Sequence, residues 1–136
     1  YLVGYFNWGG EITIFGLDRI KELEILKKPF ERNEDFSPEE IFKNSLGITI
    51  NTSEPFEVVL AIKQSEAEYI KSLPLHHSQK IVSENERELI ISLFVNDSYE
   101  LISTLMGLGN QIKVLEPDFL RAKIIKFHQE SIKIYK

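Results

Sequence analysis

No cysteine occurs in the 136 residues, so disulfides and thiolate metal sites are excluded and a cytoplasmic origin is permitted. No stretch approaches the ~18 consecutive apolar residues that a membrane-spanning helix needs, and no basic-then-apolar leader stands at the start. The chain also lacks a basic surplus. Its net charge of −5 argues against a sequence-independent grip on duplex DNA, which depends on cationic surface and counterion release. Residues 1–28 balance four Lys/Arg against four Asp/Glu, residues 29–55 hold two against six, and residues 56–136 hold ten against eleven. The negative surplus therefore lies mostly between two near-neutral parts.

Catalytic signatures are equally scarce. No nucleophile elbow places a Ser or Thr with a His and an acid. The three imidazoles are His76, His77 and His128. Neighbours in sequence diverge in most backbone conformations, and no H-x-x-x-H or HExxH spacing exists, so a metal site is not expected. Paired acids at Glu39-Glu40 and at Glu84, Glu86 and Glu88 are explained as a helix start and a solvated hairpin rather than as a glycosidase pair. Leu105-Met106-Gly107-Leu108-Gly109-Asn110 follows a helical pattern, whereas the dinucleotide fingerprint must precede one. No cofactor is expected.

What is present is α+β patterning with 43% hydrophobic residues, enough for one ordinary core or two very small ones. Tyr1-Leu2-Val3-Gly4-Tyr5-Phe6 and Glu11 to Phe15 flank Asn7-Trp8-Gly9-Gly10, the spelling of a β-hairpin. Two strands cannot bury an apolar face by themselves, so completing strands are expected upstream of Tyr1 or on another molecule. With no initiating Met, the chain reads as a fragment. After Gly16, which permits a bend, one helical turn at Leu17-Asp18-Arg19 and a strand across roughly 21–27 are expected. Ser37-Pro38-Glu39-Glu40 spells a capping box that starts a short helix, with Gly47 as its stop.

From Phe56 the periodicity becomes regular. Phe56, Val58, Leu60 and Ile62 alternate as a strand; Ser65-Glu66-Ala67-Glu68 caps a helix to about Ser72, and Pro74 ends it. Gln79 to Ser83 and Arg87 to Val95 form a hairpin. Asn96-Asp97-Ser98 caps a helix carrying Leu101, Ile102, Leu105 and Met106, and Gly107 and Gly109 end it. Gln111 to Leu115 is the fourth strand, and a final helix with an inner stripe of Leu120, Ile124 and Phe127 follows Pro117. The order β-α-β-β-α-β plus a helix is that of the ferredoxin-like split βαβ fold.

Several of these segments resemble a known family. Tyr1-Leu2-Val3-Gly4-Tyr5, with Phe15-x-Leu17-Asp18-Arg19-Ile20 after the turn, resembles the end of a WYL domain, the bacterial effector-sensing module. Phe42-Lys43-Asn44-Ser45-Leu46-Gly47-Ile48 and Leu75-His76-His77-Ser78-Gln79-Lys80-Ile81 are similar to two later signatures, the second belonging to the WCX extension that follows WYL. The resemblance implies the remnant of an Sm-like or SH3-like barrel (a hairpin plus a strand) over residues 1–28, a connector over 29–55 and a ferredoxin-like WCX domain over 56–136. It implies a non-enzymatic regulator that pairs as a homodimer, senses single-stranded nucleic acid or a nucleotide, and binds promoter DNA through an N-terminal helix-turn-helix outside this chain.

The ligand-binding residues expected on these grounds are Tyr1, Tyr5, Arg19, His76, Gln79 and Lys80. The tyrosines, with Trp8, offer faces for base stacking, and the Arg19 fork suits phosphate. The resemblance carries Arg19 over from the last cation of the family's R-x-F-R-L-D-R-I run. Thr13 and Gly16 replace the other two, so a less charged effector stays open. His76, Gln79 and Lys80 match the family's H-P-S-Q-x-I region, with His77 in place of Pro. A ferredoxin-like small-molecule module attached to an enzyme is the alternative, since that strand order serves many functions. A hydrolase using His76 or His77 is a third reading.

Overall fold

The computed structural model describes residues 1–5, 12–30, 36–50 and 53–136. These form two compact units, residues 1–41 and 42–136, and the fold is α+β.

In the first unit β1 (Leu2–Tyr5) and β2 (Ile12–Phe15) pair antiparallel, with Leu2 opposite Phe15 and Tyr5 opposite Ile12. The hairpin is therefore as expected, while its Gly9-Gly10 turn and Trp8 lie outside the described residues. A single 3-10 turn covers Leu17–Arg19. Gly16 enters it with φ −70° and ψ 121°, angles any residue adopts, so the bend does not draw on glycine's special freedom. The strand expected across 21–27 is not formed. Glu22 takes a left-handed φ of 54°, which breaks the alternation that the strand would need. Without that strand, Leu23, Ile25, Leu26 and Phe30 stay exposed, and none of the described residues 1–41 is buried.

Helix α1 (Pro38–Phe42) starts where the capping box placed it: the Ser37 hydroxyl accepts from the Glu40 N–H at 3.3 Å and donates to the Glu39 carboxylate at 3.2 Å. It ends well before Gly47. That glycine instead adopts φ 126° beside Glu100, where an added Cβ would lie 2.6 Å from the Glu100 Cγ.

The second unit is a four-stranded sheet in the order β4-β5-β3-β6, every neighbouring pair antiparallel. Its strands are β3 (Phe56–Lys63), β4 (Lys80–Glu84), β5 (Glu88–Val95) and β6 (Ile112–Glu116). Val58, Leu60 and Ile62 of β3, Leu89, Ile91, Leu93 and Val95 of β5 and Val114 of β6 are buried on the face that the helices cover. Period-two alternation delivers each of them to that face, and its burial removes apolar surface from water at about 25 cal/mol per Å².

Helix α2 (Gln64–Ser72) follows β3 without a break and buries Ala67 and Ile70. It starts one residue before the expected Ser65 cap, because the Gln64 N–H is already held by the Arg87 carbonyl at 3.0 Å. No side-chain cap is needed there. Helix α3 (Tyr99–Gly107) is capped by Ser98, whose hydroxyl accepts from the Leu101 N–H at 3.0 Å, and buries Leu101, Ile102 and Leu105. Helix α4 (Asp118–Ile134) buries Leu120 and rests Ile124 on the core. Phe127, expected on the inner stripe, is 39% exposed.

Because β5 and β6 both run antiparallel to β3, they are parallel to each other. The helices that follow them, α3 and α4, thus begin at the same end of the sheet.

Residues 42–50 fold onto this unit. Asn96 is the anchor: its N–H donates to the Asn44 carbonyl at 2.8 Å and its Nδ2 to the Ser53 carbonyl at 2.6 Å. Ser45 is buried, Leu46 packs against the core, and the Thr49 hydroxyl donates to the Glu100 carboxylate at 2.8 Å. Burial pushes the Glu100 carboxyl up, but that hydroxyl and backbone N–H groups at Ile48, Thr49 and Glu100 itself outweigh it, holding the group below its usual range.

Candidate functional site

In the first unit, Tyr1 and Tyr5 are 69% and 53% exposed. Arg19 stands in the 3-10 turn, exposed, with its Nε 3.8 Å from the Asp18 carboxylate. An ion pair this open to water contributes little, so the guanidinium can exchange Asp18 for another anion. Both tyrosines are available to stack.

In the second unit, the three residues taken from the 75–81 segment have separate tasks. His76 is 8% exposed. Its Nδ1 accepts from the Ser78 N–H at 3.2 Å and lies 2.7 Å from the Ser78 hydroxyl, which in turn accepts from the Phe94 N–H at 2.9 Å. Since Nδ1 accepts, the neutral ring carries its proton on Nε2, and that atom is buried without a hydrogen-bond partner. The His77 ring lies 4.1 Å away, with Nε2 2.5 Å from the Lys43 carbonyl oxygen. Burial is the main force holding the His76 imidazole below its ordinary value of 6.5; the neighbouring His77 adds to it, and the Lys43 carbonyl opposes it.

Gln79 is a backbone clamp. Its Oε1 accepts from the Leu75 N–H and its Nε2 donates to the Ile70 carbonyl, both at 3.0 Å. Ile70 sits in the last turn of α2, whose carbonyls have no partner within the helix. Lys80 lies opposite Ser92 at the sheet edge and borders a depression shared with Glu57, Ser78 and Phe94. Of these three side chains, Lys80 alone faces open space in a form suited to a ligand.

The sequence reading did not anticipate a groove of ≈ 440 Å³ between α3 and α4. Asp97, Ser98 and Lys123 line one end, and Tyr99, Ile102, Ser103, Met106, Phe127 and Ser131 line its length. The Lys123 Nζ contacts both Asp97 carboxylate oxygens at 2.9 Å. Spacing of three and four along each helix brings these side chains to facing edges. That spacing was visible in the sequence; that the two edges meet was not. Among the described residues, no group of three or more His, Asp or Glu side chains could hold a metal ion, and no helix is long and apolar enough to cross a membrane.

Residues 54–130 match the family model of the WCX domain, and the chain belongs to that family, the extension associated with WYL-domain regulators. No curated protein matches the chain.

Proposed function

We propose that this chain is the effector-sensing and oligomerisation region of a bacterial, cytoplasmic WYL-type transcriptional regulator. The observation that carries this reading is the WCX match over residues 54–130, preceded by a hairpin and 3-10 turn that hold Tyr5 and the Phe15-x-Leu17-Asp18-Arg19-Ile20 run. In this reading the hairpin belongs to an Sm-like barrel, whose remaining strands cover the apolar residues exposed between Leu17 and Phe30. The order β4-β5-β3-β6 supports a ferredoxin-like assignment for the second unit.

The effector is single-stranded nucleic acid or a nucleotide, stacking on Tyr1 and Tyr5 and pairing with Arg19. Lys80 adds a cation at the sheet edge, while His76 and Gln79 shape the loop that presents it. The regulator acts as a homodimer and reaches promoter DNA through a helix-turn-helix in the same polypeptide.

The test uses the full-length regulator, freed of bound nucleic acid by nuclease. Its promoter affinity is measured by fluorescence anisotropy while short single-stranded oligonucleotides and mononucleotides are titrated in. Promoter binding that shifts with effector, and a response lost in Arg19→Ala, is the expected result. A protein that binds no promoter under any effector condition would remove the regulatory assignment.

A further inference from the structure

We propose that the groove between α3 and α4 binds a free α-amino acid with a large apolar side chain. Its ≈ 440 Å³ falls in the range of small-molecule pockets, about 300–1,000 Å³. The walls divide by chemistry. Ile102, Met106 and Phe127 form an apolar body, flanked by the exposed Tyr99 ring, and the unbranched Met106 thioether adapts to side chains of differing shape.

The charged end selects the head group. Asp97 precedes α3 and Lys123 lies in the second turn of α4, and because both helices start at the same end of the sheet the two charges meet there. Both side chains are a little more than one-third exposed, so parting them costs little desolvation. A zwitterion enters that pair with no charge left over: its carboxylate takes the Lys123 ammonium and its ammonium takes the Asp97 carboxylate.

A fatty acid or a phosphate would satisfy Lys123 while setting its own negative charge against Asp97. A simple amine would do the reverse to Lys123. Each of these sets a like charge beside one member of the pair, whereas the zwitterion meets both with opposite charges, so both are disfavoured relative to it. The ligand class is therefore leucine, methionine, phenylalanine and their like. This inference stands on the second unit alone and does not depend on nucleic-acid sensing by the first.

Met106 is the only methionine in the chain, so selective 13C-methyl labelling gives one NMR signal inside the groove. Titrating the 136-residue protein with L-leucine and L-phenylalanine is expected to move that signal saturably. Octanoate, which lacks the ammonium, and N-acetyl-L-leucinamide, which lacks both charges, are expected to bind roughly tenfold or more weakly, as are the amino acids to Asp97→Asn and Lys123→Gln. Absence of any shift up to about 10 mM amino acid overturns the proposal. So does octanoate binding as tightly as leucine, or an affinity for leucine in both variants unchanged from that of the unaltered protein. Where a variant does not fold, the ligand series on the unaltered protein decides.

Discussion

Replacing Gln79 by Ala separates a clamp from a ligand contact. The side chain joins the Ile70 carbonyl at the end of α2 to the Leu75 N–H, each at 3.0 Å. Its loss removes two hydrogen bonds of about 1 kcal/mol net each, and a part-buried backbone group left unpaired adds about 1–3 kcal/mol unless water reaches it. A total of about 2–5 kcal/mol follows, the lower figure where water reaches the unpaired group, equivalent to a fall in Tm of about 8–40 °C for a unit of this size. Urea denaturation followed by circular dichroism measures it, with an unchanged m-value showing that the folded state is otherwise intact. Gln79→Glu sharpens the test. An ionised carboxylate still accepts from Leu75 but cannot donate to Ile70, so this variant should regain stability as pH falls far enough to protonate it. If Gln79→Ala shifted stability by less than about 0.5 kcal/mol, the clamp reasoning would be refuted.

Two further outcomes are expected. Gly47→Ala forces a Cβ to within 2.6 Å of the Glu100 Cγ at a φ of 126°, so it should cost about 1–3 kcal/mol and free residues 47–49 to faster amide exchange; wild-type protection there would contradict the strained contact. Because the folded state holds His76 below its ordinary value of 6.5, the unfolded chain takes up that proton first. Stability is then full above that value and is lost as pH falls from it through the lower folded value. His76→Gln should flatten the slope, and an unchanged urea-midpoint profile between about pH 5 and 8 would count against the buried-imidazole account.

The sequence by itself determined the second unit's element order. Period-two runs at Phe56–Ile62 and Leu89–Val95, the Ser98 cap and the Gly109 turn are local signals, each satisfied by residues a few positions apart. The motif order also pointed to the WCX family. Local signals misled where a distant or unusual contact prevailed: Arg87 started α2 ahead of Ser65, and the left-handed Glu22 cancelled the strand over 21–27.

Only the tertiary structure decided the roles of particular side chains. It turned Gln79 into a clamp, made Asn96 the anchor of residues 44 and 53, and brought Asp97 to Lys123 across 26 positions. Such assignments depend on which faces of separate elements meet. That is set by how the whole core packs, and no stretch of residues encodes it alone.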